Sequence, residues 1–378
     1  MNTTRFFLNP SNKFDADKTY TNYMKSEEVL KFHRKIHGYK PSPLLKLSNI
    51  GSLLDMSHLY VKDESGRYGI QSFKGLGASY SIYCIIKKIW REKFNTSFKI
   101  RDLWSPYLNL LGPITLTAAT DGNHGKAVSW FTRLIKQQAI IYMPKESATS
   151  RIKSIEEEGA KVVLVNGTYD KCVRQCKKDA ELNGRQVVSD TAYPGNMEQP
   201  FDIIVGYTTL FKELDEQCQE LFDYVIVPAG VGGIAAAAAL YFNYYKKSST
   251  KIIVIEPLSS ACIMESLIAG TPSFSKGRLD SIMAGLNCGF PSLLSWELLK
   301  NTVYFSVAIP DEYVIQAIKY YYDEGIISGE SGASALAGLL AIIDHQDIAR
   351  KLNILNSSVL LLNTEGNTNP AFYSSIIR

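Results

Sequence analysis

A chain of 378 residues with 46% hydrophobic and 21% charged side chains is long enough for two domains and has the make-up of a soluble globular protein. Its formal charge of +4 is spread along the chain with no basic block set among aromatics, which argues against nucleic acid as a partner, and its longest apolar stretch, residues 233–242, is too short to cross a bilayer. The six cysteines form no close-set framework, the five histidines stand in no HExxH or CxxC setting, and Met1–Phe7 carries no apolar leader core, so no metal is expected and the cytoplasm is the default compartment.

In chain order, a strand is predicted at Leu59–Lys62 and an apolar-periodic helix from Gly75 to Trp90. Strand Ile114–Ala119 and helix Gly125–Lys136 follow, then strand Ala139–Met143 with helix Ser150–Gly159, and strand Lys161–Val165 with helix Tyr169–Gly184. After a strand at Gln186–Ser189 and a loop at residues 191–196 come helix Gly206–Leu221, strand Tyr224–Pro228, helix Ile234–Lys246, strand Lys251–Ile255, strand Val303–Ala308, helix Glu312–Glu324 and strand Ser358–Asn363. Short β-branched runs bounded by Gly and Pro, alternating with helices, give an α/β fold of open, mostly parallel sheets covered on both faces. Two blocks are expected: a small domain over residues 81–197, and a large domain made of 1–80 together with 198–378. Ligands of such sheets bind beyond the carboxyl ends of the strands, which directs attention to the strand-to-helix turns.

Lys74, between Phe73 and Gly75 at a helix start, is the first candidate. Buried there, its amine would lose hydration, drop its pKa toward neutrality and become a nucleophile for a carbonyl; solvated, it is an ordinary first-turn lysine. The turn Thr120-Asp121-Gly122-Asn123-His124-Gly125 joins a strand to an amphipathic helix, and its glycines and helix start suit an anion such as a carboxylate. Asp121 serves equally well there as a plain helix cap. The loop Gly230-Val231-Gly232-Gly233 opens another helix and suits a phosphate. Glu256, ending the next strand, stands where a dinucleotide fold places its ribose-binding acid, so a nicotinamide reading competes, although the loop lacks the third glycine of GxGxxG. After the last strand, Thr364 offers a neutral hydroxyl able to bond a ring nitrogen without protonating it, and Glu330 opens a further apolar helix.

Together, Ser72-Phe73-Lys74, Gly122-Asn123-His124, Gly230–Gly233 and Thr364 stand in the order found in the fold-type II pyridoxal-phosphate enzymes, the superfamily of the tryptophan synthase β-subunit and threonine dehydratase, which the chain resembles. The resemblance implies two open, mostly parallel sheets with pyridoxal 5'-phosphate in the cleft between domains. It implies Lys74 as covalent tether, Phe73 and Asn123 beside the ring, Gly230, Val231, Gly232 and Gly233 on the phosphate, and Thr364 at the ring nitrogen; no nicotinamide is then needed. Within the superfamily the chain resembles most the diaminopropionate ammonia-lyases, through Lys40-Pro41-Ser42-Pro43-Leu44, Val61-Lys62-Asp63-Glu64-Ser65, the 120–125 turn, Ile282-Met283-Ala284-Gly285-Leu286-Asn287-Cys288-Gly289, Ser328-Gly329-Glu330-Ser331-Gly332 and Asn363-Thr364-Glu365-Gly366. It departs from them at Gln71-Ser72 before Phe73-Lys74, at Phe290 where an acid is expected, and at Tyr193 in the loop after Asp190.

The residues point the same way. A carboxylate at Asp121, where most hydroxy-amino-acid dehydratases place a small neutral group, is costly to desolvate unless it meets a cation, and a β-ammonium group would supply one. Asp190 matches a second family carboxylate, or else caps the following turn. The implied reaction is α,β-elimination of 2,3-diaminopropionate to pyruvate and two ammonia, with Lys74, Asp121 and Asp190 catalytic and Thr120, Asp121, His124 and Asp190 holding the amino-acid substrate. A homodimer is implied by the family alone. The alternatives are a serine/threonine dehydratase or β-replacement synthase on the same scaffold, and, further off, a non-catalytic amino-acid-binding regulator. Cys262 and Cys288 are placed to approach one another.

Overall fold

The computed structural model describes residues 3–12 and 27–378. Eleven strands are present among them: β1 (Arg5–Leu8), β2 (Leu44–Lys46), β3 (His58–Asp63), β4 (Thr115–Ala119), β5 (Gln138–Pro144), β6 (Lys161–Val165), β7 (Gln186–Val187), β8 (Tyr224–Pro228), β9 (Lys251–Pro257), β10 (Val303–Ile309) and β11 (Ser358–Asn363). They form two sheets, one of seven strands ordered β1-β10-β9-β8-β11-β3-β2 and one of four ordered β6-β5-β4-β7. The described chain divides into two compact units, one of residues 3–12, 41–67 and 208–378, the other of 27–40 and 68–207. Lys74 and its helix fall in the second, whereas the sequence reading grouped residues 1–80 with the large block.

The five inner strands of the large sheet run parallel, and the two edge strands, β1 and β2, pair antiparallel to them. β8 and β11 are buried at every position, as Val-Ile-Val and Val-Leu-Leu-Leu runs require when helices cover both faces. The edge strands escape sequence reading because they are three and four residues long and lie part-exposed, so neither an apolar run nor a clean alternation marks them. The small sheet is wholly parallel.

A buried ion network fixes the end of β3. Lys62 Nζ donates to Glu213 Oε2 (2.7 Å), the Ser42 carbonyl (2.8 Å) and Gln217 Oε1 (2.7 Å), while the Arg67 guanidinium bridges Glu64 and Glu213 at 2.7–2.9 Å. Two cations face two carboxylates, so no charge in this group is left uncompensated.

Two helices differ from expectation. The helix expected from Gly206 begins at Glu198 and runs to Lys212, followed by a separate turn, Leu214–Gln217. Pro200 is accommodated because it lies in the first turn, where no intrahelical donor is lost. Gly206 is not a helix start but a contact point: a Cβ there would come within 2.7 Å of the Leu76 carbonyl and 2.8 Å of Gly77 Cα. The helix expected over Ile234–Lys246 is α-helical from Gly233 to Ala239 and continues as a wider π-type turn over Leu240–Tyr245. Among the described residues no helix is long and apolar enough to cross a membrane.

Candidate active site

Lys74 is the first residue of a helix that runs to Phe94 and packs against the helix Asn123–Leu134. Its Nζ lies 2.7 Å from Asp190 Oδ2, with the two side chains 21% and 15% exposed. The amine is not buried alone, as its place at the helix start suggests, but is met by a carboxylate. Burial pushes the Asp190 carboxyl up, but the Lys74 ammonium, the His124 ring and hydrogen bonds from Lys74 and Thr191 outweigh it and hold the group well below the ordinary carboxylate range. Nζ also sits 5.4 Å from the Phe73 ring centre and 5.9 Å from that of Tyr207.

The 120–125 turn is organised by Thr120, not by the expected Asp121 cap. Thr120 Oγ1 accepts hydrogen bonds from the amides of Gly122 (2.9 Å) and Gly125 (3.1 Å). A Cβ at Gly125 would meet Thr120 Cγ2 at 2.3 Å, which is why glycine stands there. Thr120 is buried; Asp121 is exposed, and its charge helps push the neighbouring Cys172 thiol, already raised by burial, up to about 11. Asn123 is the half-buried first residue of its helix.

His124 is 5% exposed, its Nε2 2.8 Å from the Val188 carbonyl and its Nδ1 3.9 Å from Asp190 Oδ2. A carbonyl only accepts, so Nε2 carries the proton and Nδ1 is the bare nitrogen when the ring is neutral. Burial lowers the imidazole pKa, against the upward pull of Asp190. The expected strand at Gln186–Ser189 is shorter: β7 pairs with β4 at Gln186 and Val187, Val188 gives its amide to the Thr117 carbonyl and its own carbonyl to the histidine, and Asp190 follows two residues on. Beyond it, Tyr193 and Asn196 bracket a tight turn with Pro194 second and Gly195 third at φ +88°.

The glycine loop belongs to the other unit. Gly230 is closed in by Cys288, whose Sγ would lie 2.9 Å from a Cβ at that position, and Gly232, at φ +93°, by Leu299, Ser295 and Ile263. Among the described residues the amides of Gly230, Val231, Gly232 and Gly233 donate to no carbonyl or side chain, and the helix behind them leaves its first donors likewise open. That donor set fits a phosphate. Cys262 Sγ lies 3.5 Å from the Gly230 carbonyl, and Cys262 and Cys288 are not joined in a disulfide. Glu256 is not a ribose acid: fully buried, it accepts the amides of Ile263 (2.7 Å) and Met264 (2.8 Å) and so caps the helix Cys262–Ala269, its carboxyl pushed up to about 8 by burial. Thr364 is buried just past β11, after Asn363, whose amide is spent on Asp63 Oδ1 and the Ile327 carbonyl. Glu330 is buried, with Asn369 3.4 Å away.

Tyr207 was not anticipated. Gly206 and Gly77 bring two helices into backbone contact, and the Tyr207 ring then lies across Gly77, 4.6 Å from the Phe73 ring centre. The only sequence signal is a pair of glycines on two helices, one of them followed by an aromatic.

Parallel α/β units with a lysine opening a helix beside an acid, and a bare glycine loop opening another helix, define the class: the chain belongs to the pyridoxal-phosphate dependent enzyme family, whose model matches residues 36–364. Over 97% of its length it is 35% identical to the diaminopropionate ammonia-lyase of Escherichia coli (strain K12), covering 95% of that protein. Its fold matches the holo crystal structure of diaminopropionate ammonia lyase from Escherichia coli with a TM-score of 0.89 at 30% identity, covering 99% of this chain and 96% of that one. The same enzyme in complex with an aminoacrylate-PLP azomethine reaction intermediate matches with a TM-score of 0.87 at 31% identity, covering 99% and 97%. The chain is thus a fold-type II pyridoxal-phosphate enzyme and a lyase of the diaminopropionate ammonia-lyase family.

Proposed function

We propose that this protein eliminates ammonia from 2,3-diaminopropionate, giving pyruvate and a second ammonia. The observation that carries the reading is the Lys74 amine held against the Asp190 carboxylate at a helix start, in a chain whose relatives include that lyase. Pyridoxal 5'-phosphate, when bound, supplies a carbonyl for amines and a ring that stores negative charge. Lys74 would tether it, Phe73 and Asn123 would flank it, the amides of Gly230, Val231, Gly232 and Gly233 would hold its phosphate, and Thr364 would offer its ring nitrogen a neutral hydroxyl.

Asp190, kept ionised, is fit to take a proton or to receive an ammonium group, and the exposed Asp121 offers a second carboxylate to a diamine. These two share the acid and base roles, with Thr120 and His124 completing the pocket for the amino acid. Thr120 acts there by folding the turn that presents Asp121 and Asn123. The Lys74 amine or an acid would assist departure of the β-nitrogen. The working form is taken to be a cytoplasmic homodimer, following the family.

The test is pyruvate release from diaminopropionate against serine and threonine, by wild type and Asp121→Asn. Preference for the diamine, shifted toward serine by the substitution, is expected. Equal or better turnover of serine by the wild type would assign the chain to the dehydratases on the same scaffold.

A further inference from the structure

Tyr207 is 1% exposed, and its hydroxyl makes no hydrogen bond of good geometry. A buried hydroxyl without a well-formed bond adds little to packing over the plain ring of phenylalanine, and the side chain that its oxygen is set to bond is Lys74. The ring is held firmly all the same. It lies across Gly77, where an added Cβ would come within 2.4 Å of Cε1 and 2.8 Å of Cζ, so the hydroxyl-bearing end points along the face of the helix that carries Gly77. Lys74 is one turn earlier on that face, and its Nζ is 5.9 Å from the ring centre. The phenol stands in the field of both Lys74 and Asp190, and burial keeps its proton on, so it remains able to accept a hydrogen bond and to donate one.

Lys74 Nζ is presently taken up by Asp190. Asp190 cannot hold that amine and at the same time serve the ammonium group or proton of a substrate with the same oxygen. We propose that Tyr207 is a positioning residue of the reaction, its hydroxyl being the second hydrogen-bond partner of the Lys74 amine, engaged whenever the substrate occupies Asp190. The amine donates and the phenol oxygen accepts, so no proton changes hands and the lysine stays on its helix face, ready to regain its tether at the end of a turnover. This rests on the reading of Lys74 as tether and Asp190 as acid–base group.

The test is Tyr207→Phe, which keeps the ring. The melting temperature of the cofactor-free protein should be little changed, since the hydroxyl makes no hydrogen bond of good geometry there. The visible absorbance of the bound cofactor should be retained at full stoichiometry, with KM for diaminopropionate little changed and kcat lowered about tenfold or more, the scale of a hydrogen bond to a charged group. In Asp190→Asn/Tyr207→Phe the two losses should fall short of multiplying, because both residues serve one amine. Wild-type kcat in Tyr207→Phe overturns the proposal. So does a loss of kcat accompanied by a matching fall in melting temperature and cofactor content, which is what a packing role gives. If Lys74→Ala keeps the visible band, the tether reading has failed and not the tyrosine.

Discussion

The Lys74 amine and the Asp190 carboxylate lie 2.7 Å apart although they are 116 residues distant in the chain. Two local features bring them together: a helix that begins on Lys74 itself, and a carbonyl just past the end of β7, that of Val188, held by His124 two residues before Asp190. The pair is mostly buried, which strengthens the attraction and makes loss of either partner felt.

Asp190→Asn is expected to lower turnover by about a hundredfold or more, the scale of a general acid–base group. The carboxyl is depressed in the fold from its ordinary 3.8, so the stability it contributes is fully present above that pH and is lost as the pH falls below it. Acid unfolding followed from neutral pH downward should show a wild-type advantage that disappears at low pH, and the variant should lack that component.

The imidazole of His124 is depressed below its ordinary 6.5 by burial. The unfolded chain therefore binds this proton at a pH where the fold does not, and stability falls as the pH drops below that value. Nuclear magnetic resonance of the ring should show a neutral histidine at pH 7 protonated on Nε2. His124→Gln should flatten the pH dependence of stability in that window.

Glu213 is held below its ordinary 4.5 by Arg67 and Lys62, which together outweigh the opposing effect of its burial. Glu213→Gln leaves two buried cations facing a single carboxylate and should cost about 3 kcal/mol in urea unfolding. Its stabilising contribution is present above pH 4.5 and is lost as the pH falls through the lowered folded value.

Gly206→Ala drives a methyl group into the Leu76 carbonyl and Gly77 Cα. Separation of the two helices should cost about 1–3 kcal/mol and displace Tyr207 from Phe73 and Lys74. Thermal melting and the cofactor content of the purified variant report the two effects separately.

Much of the fold was legible because buried parallel strands write themselves as apolar runs: β8 and β11 begin and end where those runs do. What escaped was set by tertiary contact. β1 and β2 exist as edges of a sheet already formed, and the helix Glu198–Lys212 passes through a proline and a glycine that read as boundaries. In the site, Phe73, Lys74, His124 and Asp190 were nameable from turns at strand ends and from the family they resemble, and the structure draws these four together. A cap at Asp121 stood as the alternative to a substrate-facing carboxylate, yet Thr120 does the capping, because a hydroxyl one residue earlier reaches two amides at once. Glu256 stands where a rival dinucleotide reading would put a ribose acid, yet it spends both oxygens on a helix start, and only the folded chain brings those amides to it. Tyr207 carries no motif; it matters because glycines on two different helices let it in.

The most direct measurement is the visible spectrum of the purified protein with pyridoxal 5'-phosphate, recorded beside pyruvate release from 2,3-diaminopropionate, for wild type and Lys74→Ala. A cofactor band and steady pyruvate formation in the wild type, both abolished in the variant, are predicted. A variant that keeps the band and the turnover would contradict a covalent tether at Lys74, and with it the catalytic account.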